Sequence, residues 1–110
     1  MLFEGLAGRY QRAQVYFELR DYMTVAAELE AVLEETPDNV AARLLLARAY
    51  YHSARLSPAE RTLREVLEQA PGDAYAYLLL GRVLQRQGRQ DEAKGPLRLA
   101  AAMNPDLAVD

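Results

Sequence analysis

The stretch LLLARAYYHSARLSPAERTLREVLEQAP, Leu44 to Pro71, decides the fold. Leu46, Ala47 and Tyr50 form one stripe at i, i+1, i+4, and Ala59, Leu63, Val66 and Leu67 form a second at i, i+4, i+7, i+8. Both spacings put the apolar residues on one side of a helix. Between them lies SPAE: Ser57 suits an N-cap, Pro58 the first helical position, and Glu60 completes a capping box. Pro71 ends the second helix, because the residue before a proline is pushed out of helical geometry. The unit therefore reads as helix, turn, helix, stop.

The same unit occurs three times. Pro37, Pro71 and Pro105 are spaced 34 residues apart, and the same step aligns Ala13, Ala47 and Gly81, all small. It also aligns Tyr16, Tyr50 and Leu84, then Val25, Ala59 and Ala93, then Leu29, Leu63 and Leu97, then Val32, Val66 and Ala100. Such periodicity is the signature of a stacked repeat architecture. Helices are expected near 6–19, 22–35, 40–53, 56–69, 74–87 and 90–103, with Asp38 capping the third. Gly95–Pro96 falls inside the last, where proline loses a hydrogen bond and crowds the carbonyl of Glu92, so a kink or late start is expected there.

On these residues the chain resembles three tandem tetratricopeptide repeats, covering Leu6 to Leu107. The matching pattern is small residue, aromatic three later, alanine, large apolar, closing proline, as in Ala47, Tyr50, Ala59, Leu63 and Pro71. RDYMTVAAELEAVLEETPDN follows the family's second helix, and GRQDEA, Gly88 to Ala93, its interhelical turn. Arg12 departs from the pattern, at a place usually apolar. The resemblance implies an all-α, right-handed α-solenoid of three helix-turn-helix repeats and six helices. Residues 1–110 then form a single domain with repeats at about 6–39, 40–73 and 74–107.

Composition excludes several classes. With no cysteine, disulfides and zinc-thiolate sites are impossible, and no window approaches the roughly eighteen apolar residues of a membrane span. MLFEGLAGRYQR lacks the basic-then-apolar order of a secretory signal, so the expected location is cytoplasmic. A net charge of −3 disfavours broad nucleic-acid binding. Lys94 is the only lysine among many arginines, which with abundant alanine suggests a GC-rich bacterial genome.

No catalytic constellation is present. His52 is the one histidine; Ser53 follows it, but no carboxylate is spaced to orient it for a triad, and none sits at i±4 to complete a metal site. LAGRYQ is no phosphate loop, and Glu34–Glu35 is ordinary solvated helix surface. No enzyme activity, cofactor or metal is expected.

What remains is a second stripe on the first helix of each repeat. Leu44, Arg48, Tyr51, His52 and Arg55 share one face, turned away from Leu46, Ala47 and Tyr50. The third repeat offers Tyr75, Leu78, Arg82, Gln85 and Arg86 in the same register, and the first Tyr10, Gln14, Phe17 and Glu18. By the resemblance these faces line a concave groove, with Arg48 and Arg82 as successive equivalents. Aromatics give contact area and arginines pair with carboxylates, so the expected partner is a protein or peptide, acidic with apolar anchors. The bland alternative is that Tyr51 and Tyr75 merely pack between repeats. Chaperone-binding members grip a C-terminal carboxylate with lysine, asparagine and arginine; here those places carry Tyr10, Gln14, Leu45, Tyr75 and Leu79, so no such chaperone-adaptor role is expected.

A second expectation concerns the end, where DLAVD after Pro105 begins like another first helix. Leu97, Ala100, Ala101 and Met103 should then leave an apolar edge, inviting a homo-oligomer through a self-associating structural module.

Overall fold

The computed structural model describes residues 5–108. Six α-helices follow in order: α1 (Gly5–Glu18), α2 (Tyr22–Glu35), α3 (Val40–His52), α4 (Leu56–Gln69), α5 (Ala74–Arg86) and α6 (Gln90–Met103), then a 3-10 turn, η1 (Pro105–Ala108). No strand occurs among the described residues. Each helix packs on its neighbours in sequence, giving a body of 47 × 24 × 23 Å. Of DLAVD, the part after Pro105 that was expected to open a first helix, Asp106 to Ala108 lie in the 3-10 turn. Val109 and Asp110 lie outside the described residues, as do Met1 to Glu4.

The aligned columns are the core. Leu29 and Leu63 are fully buried, as are Val25, Ala59, Val66, Ala13 and Ala47. Each buried leucine contributes about 1.5–3 kcal/mol relative to exposure. The small column lets paired helices approach closely: at Gly81 a built Cβ would stand 2.4 Å from Leu97 Cδ2. Ala100, expected at the edge, is fully buried, because its column (Val32, Val66) faces inward.

Turn geometry corrects two capping expectations. Arg20 (φ 62°), Ala54 (φ 61°) and Gly88 (φ 78°) occupy one turn position in the three repeats, all left-handed. After each, a backbone N–H closes back on the preceding helix: Asp21 on Tyr16 O (2.9 Å), Arg55 on Tyr50 O (2.8 Å), Arg89 on Leu84 O (2.9 Å). That closure makes residues 21, 55 and 89 the N-caps, so α4 starts at Leu56 and Ser57 lies inside it; no side chain caps α4. Only Asp21 caps with its side chain, accepting from Thr24 N at 3.2 Å. Glu60, rather than completing a capping box, accepts from Arg89 at 2.7 Å and Arg64 at 2.9 Å. Between repeats, Asn39 and not Asp38 is the cap, accepting from Ala42 N at 3.0 Å; Asp73, one repeat on, accepts from Ala76 N at 3.0 Å. Asp38 falls at the register of Gly72, one residue too early.

Two irregularities have local answers. α6 runs from Gln90 through Pro96 to Met103, starting in the same register as α2 and α4, so the expected late start does not occur. Arg12 stands where α3 has Leu46 and α5 has Leu80, both buried. It pairs with Glu28 at 3.2 Å, and Arg9 reaches the same carboxylate at 3.5 Å. The outer surface of the first repeat is polar at this point.

Candidate functional site

Part of the second stripe of the first helices α1, α3 and α5 lines a hollow of about 650 Å³. Tyr10, Gln14, Phe17 and Glu18 come from α1, Ala41, Leu44, Leu45 and Arg48 from α3, and Tyr75 from α5. Leu45 is nearly buried and forms the floor. Three repeats thus contribute to one depression.

Arg48 is its centre. The guanidinium carbon lies 4.5 Å from the centroid of the Phe17 ring and 5.9 Å from that of Tyr75. A cation over an aromatic face is held by the ring quadrupole, worth about 0.5–1 kcal/mol where solvent still reaches it. Arg48 makes no ion pair with a described carboxylate, and its Nε is buried without a hydrogen-bond partner. The arginine that interrupts the leucines is therefore held beside the Phe17 and Tyr75 rings without an ion pair to a described carboxylate, and Glu18 is the acidic side chain lining the same hollow.

His52 lies at the rim, in an aromatic cluster. It stacks on Tyr22 at 5.6 Å and 19°, and meets Phe17 at 5.5 Å and Tyr51 at 5.4 Å edge-on. Burial, then the charges of Arg48, Arg86 and Arg20, push its pKa below the ordinary 6.5 and favour the neutral ring. Among the described residues no three His, Cys, Asp or Glu side chains gather to hold a metal ion. No helix of the described residues is long and apolar enough to cross a membrane.

The rest of the predicted stripe divides. Arg86 sits over the Tyr51 ring at 5.0 Å and donates to Tyr51 O at 3.1 Å, a carbonyl in the last turn of α3 that also accepts from Ala54 N at 3.0 Å. Arg55 lies beyond the end of α3, 4.9 Å above the Tyr50 ring, and is not on the groove face. Leu78, Arg82 and Gln85 line a second hollow of about 300 Å³ with Leu97, Arg98, Ala101 and Leu107. Arg48 and Arg82, equivalent in the repeat, thus open on different depressions. Tyr22 was missed by sequence reasoning. It begins a second helix, and its edge-on contact with Phe17 at 5.3 Å and its stack with His52 bring it to the site.

Models of the tetratricopeptide repeat match residues 6–79 and 54–108. No curated protein matches the chain. Among solved structures, a mutant of MamA superposes with TM-score 0.85 at 19% identity, covering 90% of this chain and 72% of that one. MamA from Desulfovibrio magneticus RS-1 gives 0.87 at 18%, covering 94% and 58%. YrrB, described as a TPR protein with an unusual peptide-binding site, gives 0.87 at 22%, covering 94% and 53%. The chain thus spans little more than half the length of the last two structures. At these identities the likeness establishes the fold, an all-α solenoid of helical repeats.

Proposed function

Because this chain belongs to the tetratricopeptide repeat family, a family of protein-interaction modules, we propose that its concave groove binds an acidic, partly apolar segment of a protein partner. Arg48 carries the reading. It lies in a hollow spanned by three repeats, flanked by Phe17 and Tyr75, and among the described residues no carboxylate forms an ion pair with it. An incoming carboxylate supplies that counter-charge, and Tyr10, Leu44 and Tyr75 offer area to apolar side chains. The similarity to YrrB, itself described as peptide-binding, is consistent with this use of the fold. The role is binding, not catalysis; the module works in the cytoplasm and without nucleic acid, membrane or cofactor.

The test uses fluorescein-labelled peptides alternating Glu with Leu or Phe, against Lys-for-Glu counterparts, read by anisotropy. The acidic set should bind more tightly, and Arg48→Ala should weaken it at least tenfold while flattening its salt dependence. Equal binding by variant and parent would refute the assignment of Arg48, as would a variant that unfolds yet keeps its affinity. Self-association is the second reading, favoured by Leu99 and Met103, 44% and 43% exposed on α6. Sedimentation velocity across concentration decides it. Two half-exposed side chains are a small fraction of the roughly 800 Å² per partner that a stable interface buries.

A further inference from the structure

The first helices of the three repeats end on different charges. Glu18, His52 and Arg86 hold equivalent positions, one repeat apart. A helix gathers partial negative charge at its C-terminus, so a residue able to carry positive charge is favoured there. The last turns of α3 and α5 comply with His52 and Arg86, whereas α1 has no basic residue there and ends on Glu18. Helix stability does not account for that carboxylate. The fold offers it no partner either: Glu18 is exposed, and among the described residues it has no hydrogen bond or ion pair. Arg20, two residues on, does not pair with it and does not line the hollow around Arg48. Glu18 does line that hollow.

On the premise that Arg48 anchors an acidic residue of the partner, we infer that Glu18 receives a basic residue of the same segment. The partner then carries a lysine or arginine close to its acidic anchor, rather than an unbroken acidic run. One depression holds an acid and a base that do not close on each other, so a ligand bearing both charges satisfies both. Gln14, one turn before Glu18, is the counterpart of Arg48. Glu18 therefore lies one repeat across from Arg48 and about 5.4 Å further in the direction of the helix. That offset calls for two separate ligand side chains near one another in sequence.

Glu18 discriminates in both directions, attracting a ligand cation and repelling a second ligand carboxylate. An unbroken acidic run could place any of its carboxylates on Arg48 and slide from one register to the next. A fixed acid and base together admit one register. Phe17 separates the two charges: it precedes Glu18 in sequence, and its ring centroid lies 4.5 Å from the Arg48 guanidinium carbon. An apolar ligand residue between the charged ones therefore meets an aromatic wall.

The probes are fluorescein-labelled peptides with one central Glu among Leu, Phe and Ser. Each carries Lys, Gln or Glu at one neighbouring position, moved in turn along either side, and anisotropy reads binding to the whole chain. An exposed ion pair changes affinity by up to about fivefold. At the favoured spacing the Lys peptide should therefore bind about threefold more tightly than the Gln peptide and about tenfold more tightly than the Glu peptide. Glu18→Gln should erase the Lys advantage and Glu18→Arg should invert it, while Arg20→Ala should preserve it. Arg48→Ala should weaken the Lys and Gln peptides alike. Glu18 is exposed at a helix end, so circular dichroism of its variants should match the parent. Equal binding of the Lys and Gln peptides at every spacing overturns the inference, as does a Lys advantage that survives Glu18→Gln. If both peptides still weaken with Arg48→Ala in that case, the groove reading stands without it. Indifference of every peptide to Arg48→Ala removes the groove reading itself, and this inference with it.

Discussion

Replacing Gly81 with alanine sets two known effects against each other at one atom. In the interior of α5, alanine is favoured over glycine by about 0.5–1 kcal/mol, because glycine gives up more chain entropy on folding. Against this, the new Cβ would stand 2.4 Å from Leu97 Cδ2 and 2.5 Å from its Cγ. Carbon atoms rest comfortably at about 3.5–4.0 Å, so Leu97 must retreat by roughly 1 Å. Overpacking of that kind costs about 1–3 kcal/mol. The net expectation is a loss of about 1 kcal/mol. For 110 residues, an unfolding entropy of about 2.1 cal/mol/K per residue turns that into a fall in Tm of about 4 °C. The decisive measurement is the same substitution in a Leu97→Ala background, followed by thermal and urea melts monitored at 222 nm. With the leucine gone, Gly81→Ala should stabilise by about 0.5–1 kcal/mol, so its sign reverses between backgrounds. If Gly81→Ala raises Tm with Leu97 in place, or if the two substitutions are additive, the close α5–α6 approach is not what requires glycine.

Three further outcomes follow from the turns and the ionisable groups. Asn39→Ala and Asp73→Ala should each cost about 1 kcal/mol in a urea melt, through loss of the bonds to Ala42 N and Ala76 N, whereas Ser57→Ala should be close to neutral. Because the folded pKa of His52 lies below the ordinary 6.5, the unfolded chain takes up its proton first as pH falls. His52 therefore contributes stability above about 6.5 that declines in more acid solution, and His52→Phe should flatten Tm against pH in that window. Burial tends to raise the pKa of Glu60, but hydrogen bonds from Arg89 and Arg64 outweigh it and hold the carboxyl below 4.5. Its contribution is present above that pH and lost on acidification through the lowered value, so Glu60→Gln should lose less stability than the parent between neutral and strongly acid solution.

The helices were legible because their signals are local and periodic. The apolar columns and the closing prolines placed every helix to within a residue of its observed bounds. Caps were less legible, since they depend on where the chain turns left-handed. Gly88 advertises that conformation, but Arg20 and Ala54 adopt it with no such sign. Asp38 and Asn39 are both good capping residues side by side, and only the hydrogen bond to Ala42 N separates them. At the groove, the helical face of Arg48 could be read from spacing, whereas its ring partners Phe17 and Tyr75 come from other repeats. Arg86 was read as a groove cation, yet it also donates to the Tyr51 carbonyl, and spacing carries no information about such a bond. Ala100 was read as an edge residue, although its own column, Val32 and Val66, pointed inward.

In a stack where each helix rests on its sequence neighbours, pitch is set joint by joint and no joint senses the next. Arg48 breaks that locality. Its backbone belongs to the second repeat, while its guanidinium contacts a ring from the first and a ring from the third. Mechanically it is a cross-tie between three repeats on the inside of the groove, with a strength of about 0.5–1 kcal/mol per ring contact where solvent reaches it.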